Sequence, residues 1–170
     1  MFTLNCKGKF LWTEKPLIMG ILNINTDSFY EGSRFLQPAE ALGEAQRMAE
    51  EGADIIDIGG QSTRPASGRI PAEEELDRVL PVVKLLTEKL NEKIILSIDT
   101  YHSGVAKACV EAGASMVNDI SGGELDKEMI CTVAALNVPY ICMHMKGVPE
   151  TMHIDIRYEN VVTEVLDFFI

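Results

Sequence analysis

The stretch Ile55–Pro65, with the sequence IIDIGGQSTRP, decides the fold that we predict for this chain. Its apolar start is typical of a buried strand, and the strand ends in a carboxylate, Asp57. Two glycines, three polar residues, an arginine and a proline follow as a loop. Because parallel α/β folds keep their sites at the carboxyl ends of strands, this pattern predicts a functional loop in such a fold.

Strand and helix patterns alternate along the rest of the chain. Apolar runs typical of buried strands cover residues 17–22, 53–58, 94–99, 115–119 and 138–144. Helical periodicity begins near residues 38, 71, 103, 126 and 158, with Asp126 as a predicted cap and Pro81 as a predicted kink or break. Such alternation predicts a parallel sheet with right-handed crossovers, preceded by an N-terminal β-hairpin around Lys7-Gly8.

A faint internal repeat supports this architecture. Gly52–Asp57 aligns with Gly113–Asn118, and each segment is a helix stop, a strand and a polar residue at the end of the strand. A repeated half-unit of this kind is typical of βα proteins.

The chain has 170 residues and a formal net charge of -11. This acidity argues against a general binder of nucleic acid or of anionic membranes. No apolar run approaches the roughly 18 residues of a membrane span, and the N-terminus lacks the apolar core of a signal peptide. The four cysteines form no CxxC pair and lie on apolar stretches. We therefore expect reduced core thiols in a cytoplasmic protein.

Polar residues end each of the five predicted strands, namely Asn23, Asp57, Asp99, Asn118-Asp119 and His144. One such residue is usually a helix cap or a turn residue, and a lone histidine is usually structural. Five together predict a polar mouth, because the ends of parallel strands meet at one edge. Carboxylates and carboxamides held there suit a flat heterocycle rich in ring N–H and amino groups.

The loop after Asp57 adds a prediction of anion binding. Gly59-Gly60 allows close backbone approach, Ser62 and Thr63 offer hydroxyls, and Arg64 offers a fork for phosphate oxygens. The alternative is an ordinary loop with one solvated arginine. The sequence contains no Walker loop, GxGxxG, GxSxG or HExxH motif, and its three histidines lack zinc-site spacing.

Five segments resemble the signatures of dihydropteroate synthases in order and spacing. They are Gly20–Phe29, Asp57–Pro65, Ser97–Tyr101, Val117–Gly123 and Met143–Met152. This resemblance covers essentially the whole chain. It implies an α/β TIM-type (β/α)8 barrel and a transferase of folate biosynthesis, which joins para-aminobenzoate to hydroxymethyl-dihydropterin diphosphate and releases diphosphate.

The resemblance also implies site residues and partners. Asp99 and Arg64 correspond to catalytic residues, and Asn23 to a ligand of Mg²⁺ that is bound with the substrate diphosphate. The implied substrate contacts are Thr63, Arg64, Pro65, Asp99 and Asn118. Sulfonamides are implied as inhibitors, and a homodimer is implied for the full-length protein. No role with nucleic acid or a membrane is implied.

A TIM barrel takes about 250 residues and eight strands, whereas five parallel strands are predicted here. Residues 1–170 are therefore expected to form one pterin-binding barrel domain, truncated before its last three strands. The family's later carboxylate, lysine-bearing loop and last-strand arginine and histidine have no counterpart. Two alternatives stay open: the pterin-binding barrel of a corrinoid-linked methyltransferase, and a fragment that binds pterin without catalysis.

Overall fold

A computed structural model describes residues 2–24, 38–61, 69–152 and 154–170. The strands are β1 (Thr3–Cys6), β2 (Lys9–Trp12), β3 (Met19–Asn23), β4 (Ile55–Gly59), β5 (Ile95–Asp99), β6 (Met116–Asp119) and β7 (Tyr140–Cys142). The helices are α1 (Pro38–Glu50), α2 (Ala72–Lys89), α3 (Ser103–Glu111), α4 (Met129–Leu136) and α5 (Val161–Phe168). None of these helices is long and apolar enough to cross a membrane.

The seven strands form two separate sheets. Strands β1 and β2 pair antiparallel as a hairpin, while β3 to β7 form a five-stranded sheet in sequential order with every pair parallel. Sequential order with an intervening helix is the arrangement of a (β/α) barrel wall. The predicted hairpin, the parallel sheet and the five of eight barrel strands are therefore confirmed.

The sheet has one face against the helices and one face toward the barrel interior. Alternate strand residues such as Ile56, Ile58 and Ile98 are fully buried against the helices and form the main core. The intervening residues face inward, because successive side chains of a strand point to opposite faces. This alternation places Asp57 and Asp99 inside the barrel.

The hairpin closes the amino-terminal end of the sheet. Cys6 and Leu11 are buried in a second cluster with Ile55, Ile95 and Met116, which are the inward residues at that end. Apolar side chains thus fill the lower part of the interior, and polar side chains are left for the opposite end.

Helix α2 runs unbroken through Pro81, so the predicted break is wrong. Proline removes the hydrogen bond to the carbonyl four residues earlier, which here belongs to Asp77. Both residues lie on the exposed side of α2, where water can satisfy that carbonyl. The opposite side buries Val79, Val82 and Val83 and holds the helix in place.

Two further predictions need correction. Asp126 lies before α4, whose N-cap residue is Glu128. The Asp126 carboxylate accepts a hydrogen bond from the backbone N–H of Ser103 at the start of α3, at 2.7 Å, and another from the backbone N–H of Glu128, at 3.0 Å. Of the cysteines, all of which are free thiols, Cys131 is exposed because it lies on the outer side of α4.

Candidate functional site

The carboxyl ends of four neighbouring strands place their last residues in one row. Asn23, Gly59, Asp99 and Asn118 are successive register partners across β3, β4, β5 and β6. Since all four share the inward face, three polar side chains line one rim of the barrel. Asp57, two residues before Gly59, lies one layer deeper on that face.

Asp57 and Asn118 form a hydrogen-bonded pair. The Nδ2 of Asn118 donates to Oδ2 of Asp57 at 2.8 Å, and Asp57 is only 3% exposed. Among the described residues, the other carboxylate oxygen of Asp57 and the hydroxyl of its register partner Ser97 have no hydrogen-bond partner. Buried polar atoms without partners are costly, so this layer favours a ligand or water that brings donors and acceptors.

Asp99 is the second acceptor of the rim. Burial, together with the negative charges of Asp57, Glu75 and Asp119, raises the pKa of Asp99 to about 7. Among the described residues no hydrogen bond reaches the Asp99 carboxylate. Asp99 can therefore accept hydrogen bonds from an incoming ligand, and positive charge on that ligand would favour its ionised form.

Two predicted members of the polar mouth have other roles. Asp119 is fully buried and accepts four hydrogen bonds, from the backbone N–H groups of Ser121 and Gly123 and the hydroxyls of Ser121 and Tyr140. It organises the loop after β6. The ring of His144 packs against those of Tyr158 and Phe168, with centroids 5.9 and 5.0 Å apart. It is a packing residue beyond the end of β7.

A carboxylate from outside the sheet reaches the strand ends. Glu75, in the first turn of α2, is 1% exposed, and its Oε2 accepts the hydroxyl of Thr100 at 2.8 Å. Burial raises the pKa of Glu75 to about 7, against the opposing effects of Thr100 and Arg78. Arg78, one turn along α2, donates to the carbonyl of Gly60 at 3.0 Å. The start of α2 is thereby fastened to the ends of β4 and β5.

Gly60 allows this close packing of α2. A Cβ at residue 60 would lie 2.8 Å from Cγ1 of Val79 and 3.0 Å from Cγ of Glu75. We expect Gly60→Ala to lower the free energy of unfolding by about 1–3 kcal/mol, because α2 must shift. Denaturant unfolding measures this loss. Gly43→Ala is the control, since nothing lies near that helical position and the change should stabilise the protein by about 0.5–1 kcal/mol. Equal effects of the two variants would contradict the packing argument.

The predicted loop residues Thr63, Arg64 and Pro65 lie outside the described residues. The residues on either side of 62–68 converge on Tyr101. Gln61 donates to the hydroxyl of Tyr101, and the Arg69 guanidinium lies 6.0 Å from the centroid of its ring. The connection from β4 to α2 is thus attached next to the Asp99 strand end at both of its described ends.

Mg²⁺ is the metal ion that the resemblance implies. It prefers oxygen ligands, keeps several waters and usually takes few protein groups alongside substrate phosphates. The described residues hold no group of three or more metal-binding side chains, which would be needed for an all-protein cage. Asn23 is exposed, and its Oδ1 lies 3.4 Å from the point where a Cβ of Gly59 would stand. A single carboxamide oxygen is the kind of protein ligand that Mg²⁺ takes alongside substrate phosphates.

The sequence analysis missed Glu75 and Thr100 and undervalued Asp57. A glutamate in the first turn of a helix is usually explained by the helix dipole, and two exposed glutamates precede Glu75. Its position on the apolar face, one turn before Val79, was the available signal. For Asp57 the available signal was a carboxylate two residues before a glycine pair. Its hydrogen bond with Asn118 could be inferred only from the strand register.

Comparison with known proteins agrees with this geometry. The sequence profile described as "Pterin binding enzyme" matches residues 19–170. The chain is 41% identical over 160 residues to a dihydropteroate synthase of Synechocystis, and the alignment covers 94% of this chain and 55% of that relative.

Solved structures give the same result. A Yersinia pestis dihydropteroate synthase with a sulfonamide drug complex superposes with a TM-score of 0.87 at 38% identity, over 99% of this chain and 60% of that one. A Xanthomonas albilineans dihydropteroate synthase with 4-aminobenzoic acid gives a TM-score of 0.85 at 40% identity, over 98% and 58%. The chain thus spans little more than half the length of these proteins.

Proposed function

The chain belongs to the pterin-binding enzyme family, and from this premise we propose that it carries the pterin diphosphate site of a dihydropteroate synthase. The reaction joins para-aminobenzoate to hydroxymethyl-dihydropterin diphosphate and yields dihydropteroate and diphosphate. The two solved relatives that hold 4-aminobenzoic acid and a sulfonamide support the choice of second substrate and of inhibitor class.

The observation that carries the proposal is the acceptor set on the barrel rim. A pterin ring presents an amino group and ring N–H groups along one edge. Asp99 is one acceptor, and the Asp57 oxygen that has no hydrogen-bond partner in the described part of the chain is another. The Asn118 amide, fixed by its hydrogen bond to Asp57, adds a third polar group. Because Asp57 is buried and Asp99 and Asn118 are only partly exposed, their hydrogen bonds to a flat donor-rich ring would be strong and specific.

The proposed chemistry needs no covalent intermediate on the enzyme. The bond between the pterin methylene carbon and the diphosphate oxygen breaks, and its electron pair leaves with diphosphate. The amine nitrogen of para-aminobenzoate forms the new C–N bond and loses a proton. Asp99 holds the ring and stabilises the positive charge that develops on it, while Arg64 neutralises the leaving group. Thr63 and Pro65 are assigned to substrate contacts beside Arg64.

Asn23 is the residue that would hold Mg²⁺ next to the diphosphate. When bound, the ion supplies positive charge that stabilises the leaving oxygens. Asn23 would hold that charge at the rim, on the strand next to Gly59 and two strands away from Asp99.

Diphosphate release by the full-length protein tests the function. We expect release only when pterin diphosphate, para-aminobenzoate and Mg²⁺ are all present, and inhibition by a sulfonamide that competes with para-aminobenzoate. Methyl transfer from a methylated pterin to a corrinoid, without diphosphate release, would favour the methyltransferase alternative. Pterin binding without either reaction would favour a binding protein.

Arg64→Ala in the full-length protein should distinguish binding of the diphosphate from binding of the pterin ring. We expect the affinity for pterin diphosphate to fall about 10-fold to 100-fold, because charge-assisted hydrogen bonds to phosphate contribute about 1.5–3 kcal/mol. The affinity for hydroxymethylpterin without diphosphate should stay within about twofold, since it has no anion for the arginine. Calorimetric titration with both ligands measures the two affinities, and equal losses would remove the anion role.

A further inference from the structure

We propose that Glu75 is a positioning residue for Asp99 and that it acts through the hydroxyl of Thr100. This inference rests on the proposed pterin site and names residues outside the sheet that orient it. The carboxylate comes from helix α2, and the group that it orients is at the end of strand β5.

The first step concerns how Asp99 is held. No side chain or backbone group among the described residues donates to its carboxylate, so the side chain has no direct anchor there. Its placement therefore depends on the backbone on either side. On one side, β5 fixes that backbone by pairing with Gly59 and Asn118. On the other side the strand has ended, and Thr100 is the next residue.

The second step concerns Thr100, which joins three elements. Its N–H donates to the carbonyl of Asn118 at 3.0 Å, its hydroxyl donates to Glu75 at 2.8 Å, and its hydroxyl oxygen accepts the N–H of His102 at 3.1 Å. Thr100 is 3% exposed, so water does not compete for these bonds. Together they define the path of the chain immediately after Asp99.

The third step concerns Glu75, whose side chain has little freedom. Its N–H donates to the carbonyl of Pro71 at 3.0 Å in the first turn of α2. Its Cγ lies 3.0 Å from the point where a Cβ of Gly60 would stand, so the side chain lies against the backbone of the loop after β4. A buried carboxyl group is costly to the fold unless it is well paired, and a neutral amide would satisfy the same hydroxyl. Its value to the site is therefore as a fixed acceptor for Thr100.

The test compares two disruptive variants with two conservative variants in the full-length protein. Thr100→Val and Glu75→Leu remove the hydrogen bond, whereas Thr100→Ser and Glu75→Gln keep a donor and an acceptor in place. We expect the first pair to weaken the binding of hydroxymethylpterin about tenfold, which is the upper range for one hydrogen bond. The second pair should bind it within about twofold of the unsubstituted protein.

A structural role alone is tested with stability controls. Val83→Ala removes buried volume from the same helix and leaves the hydrogen bond intact. Thr87→Val makes the same chemical change as Thr100→Val at an exposed position of α2. We expect Val83→Ala to lower the melting temperature without changing pterin affinity, and Thr87→Val to change neither.

Steady-state kinetics give a second readout. Thr100→Val should raise the KM for pterin diphosphate about tenfold and leave the KM for para-aminobenzoate within about twofold. The positioning role is overturned if pterin affinity follows melting temperature across all six variants. It is also overturned if Thr100→Ser binds pterin as weakly as Thr100→Val. If the unsubstituted protein binds no pterin, the proposed function itself fails, and that result is distinct.

Discussion

Replacing Asp99 by alanine in the full-length protein is expected to lower pterin affinity by about 100-fold or more. A carboxylate at this position can accept two donors of the ring edge, and each charge-assisted hydrogen bond contributes about 1.5–3 kcal/mol. The loss is large because Asp99 is only partly exposed and lies beside the buried Asp57, so water would replace the lost acceptor poorly. Calorimetric titration with hydroxymethylpterin measures the effect.

Two controls keep this prediction specific. Asp77→Ala removes a carboxylate of the same kind from the exposed side of α2 and should leave the affinity unchanged. Asp99→Asn keeps the shape of the side chain but replaces one acceptor by a donor, so it should bind nearly as weakly as Asp99→Ala. Affinity in Asp99→Ala equal to that of the unsubstituted protein would remove Asp99 from the pterin site.

The second large effect is a fall in stability as pH rises from about 4 to about 8. Burial raises the pKa of both Glu75 and Asp99 to about 7. A raised pKa in the folded state means that the folded protein holds these protons more tightly than the unfolded chain. Their contribution is thus fully present below the unfolded pKa and is lost as pH rises through about 7. Each group should contribute roughly 1–3 kcal/mol to this loss.

Denaturant unfolding at several pH values between 4 and 8 measures the slope. Glu75→Gln should be more stable than the unsubstituted protein at pH 8 and close to it at pH 4, because the amide does not ionise. Glu73→Gln, an exposed neighbour in the same turn, should leave the slope unchanged. Asp126 has the opposite effect, because hydrogen bonds from Ser103 and Glu128 lower its pKa. Its contribution to stability is lost as pH falls, so it affects the slope only at the acidic end of this range. An unchanged slope in Glu75→Gln would show that Glu75 titrates normally in the folded protein.

The rim residues show how far strand-end reasoning reaches. The rule that parallel strands end at one edge correctly grouped Asn23, Asp99 and Asn118, because strand ends can be read from apolar runs. The same rule also included Asp119 and His144, which have structural roles here. Whether a strand-end side chain points inward or outward depends on the register, and a shift of one residue reverses it.

The sequence by itself determined the alternation of elements, the N-terminal hairpin and the polar character of the strand ends, because these follow from local patterns of apolar and polar residues. Only the tertiary structure paired Asp57 with Asn118 and brought Glu75 from α2 to Thr100 at the end of β5. Those contacts join residues 61 and 25 positions apart in the chain. Local periodicity carries no information on such pairs, since they are set by how strands align and how a helix packs across their ends.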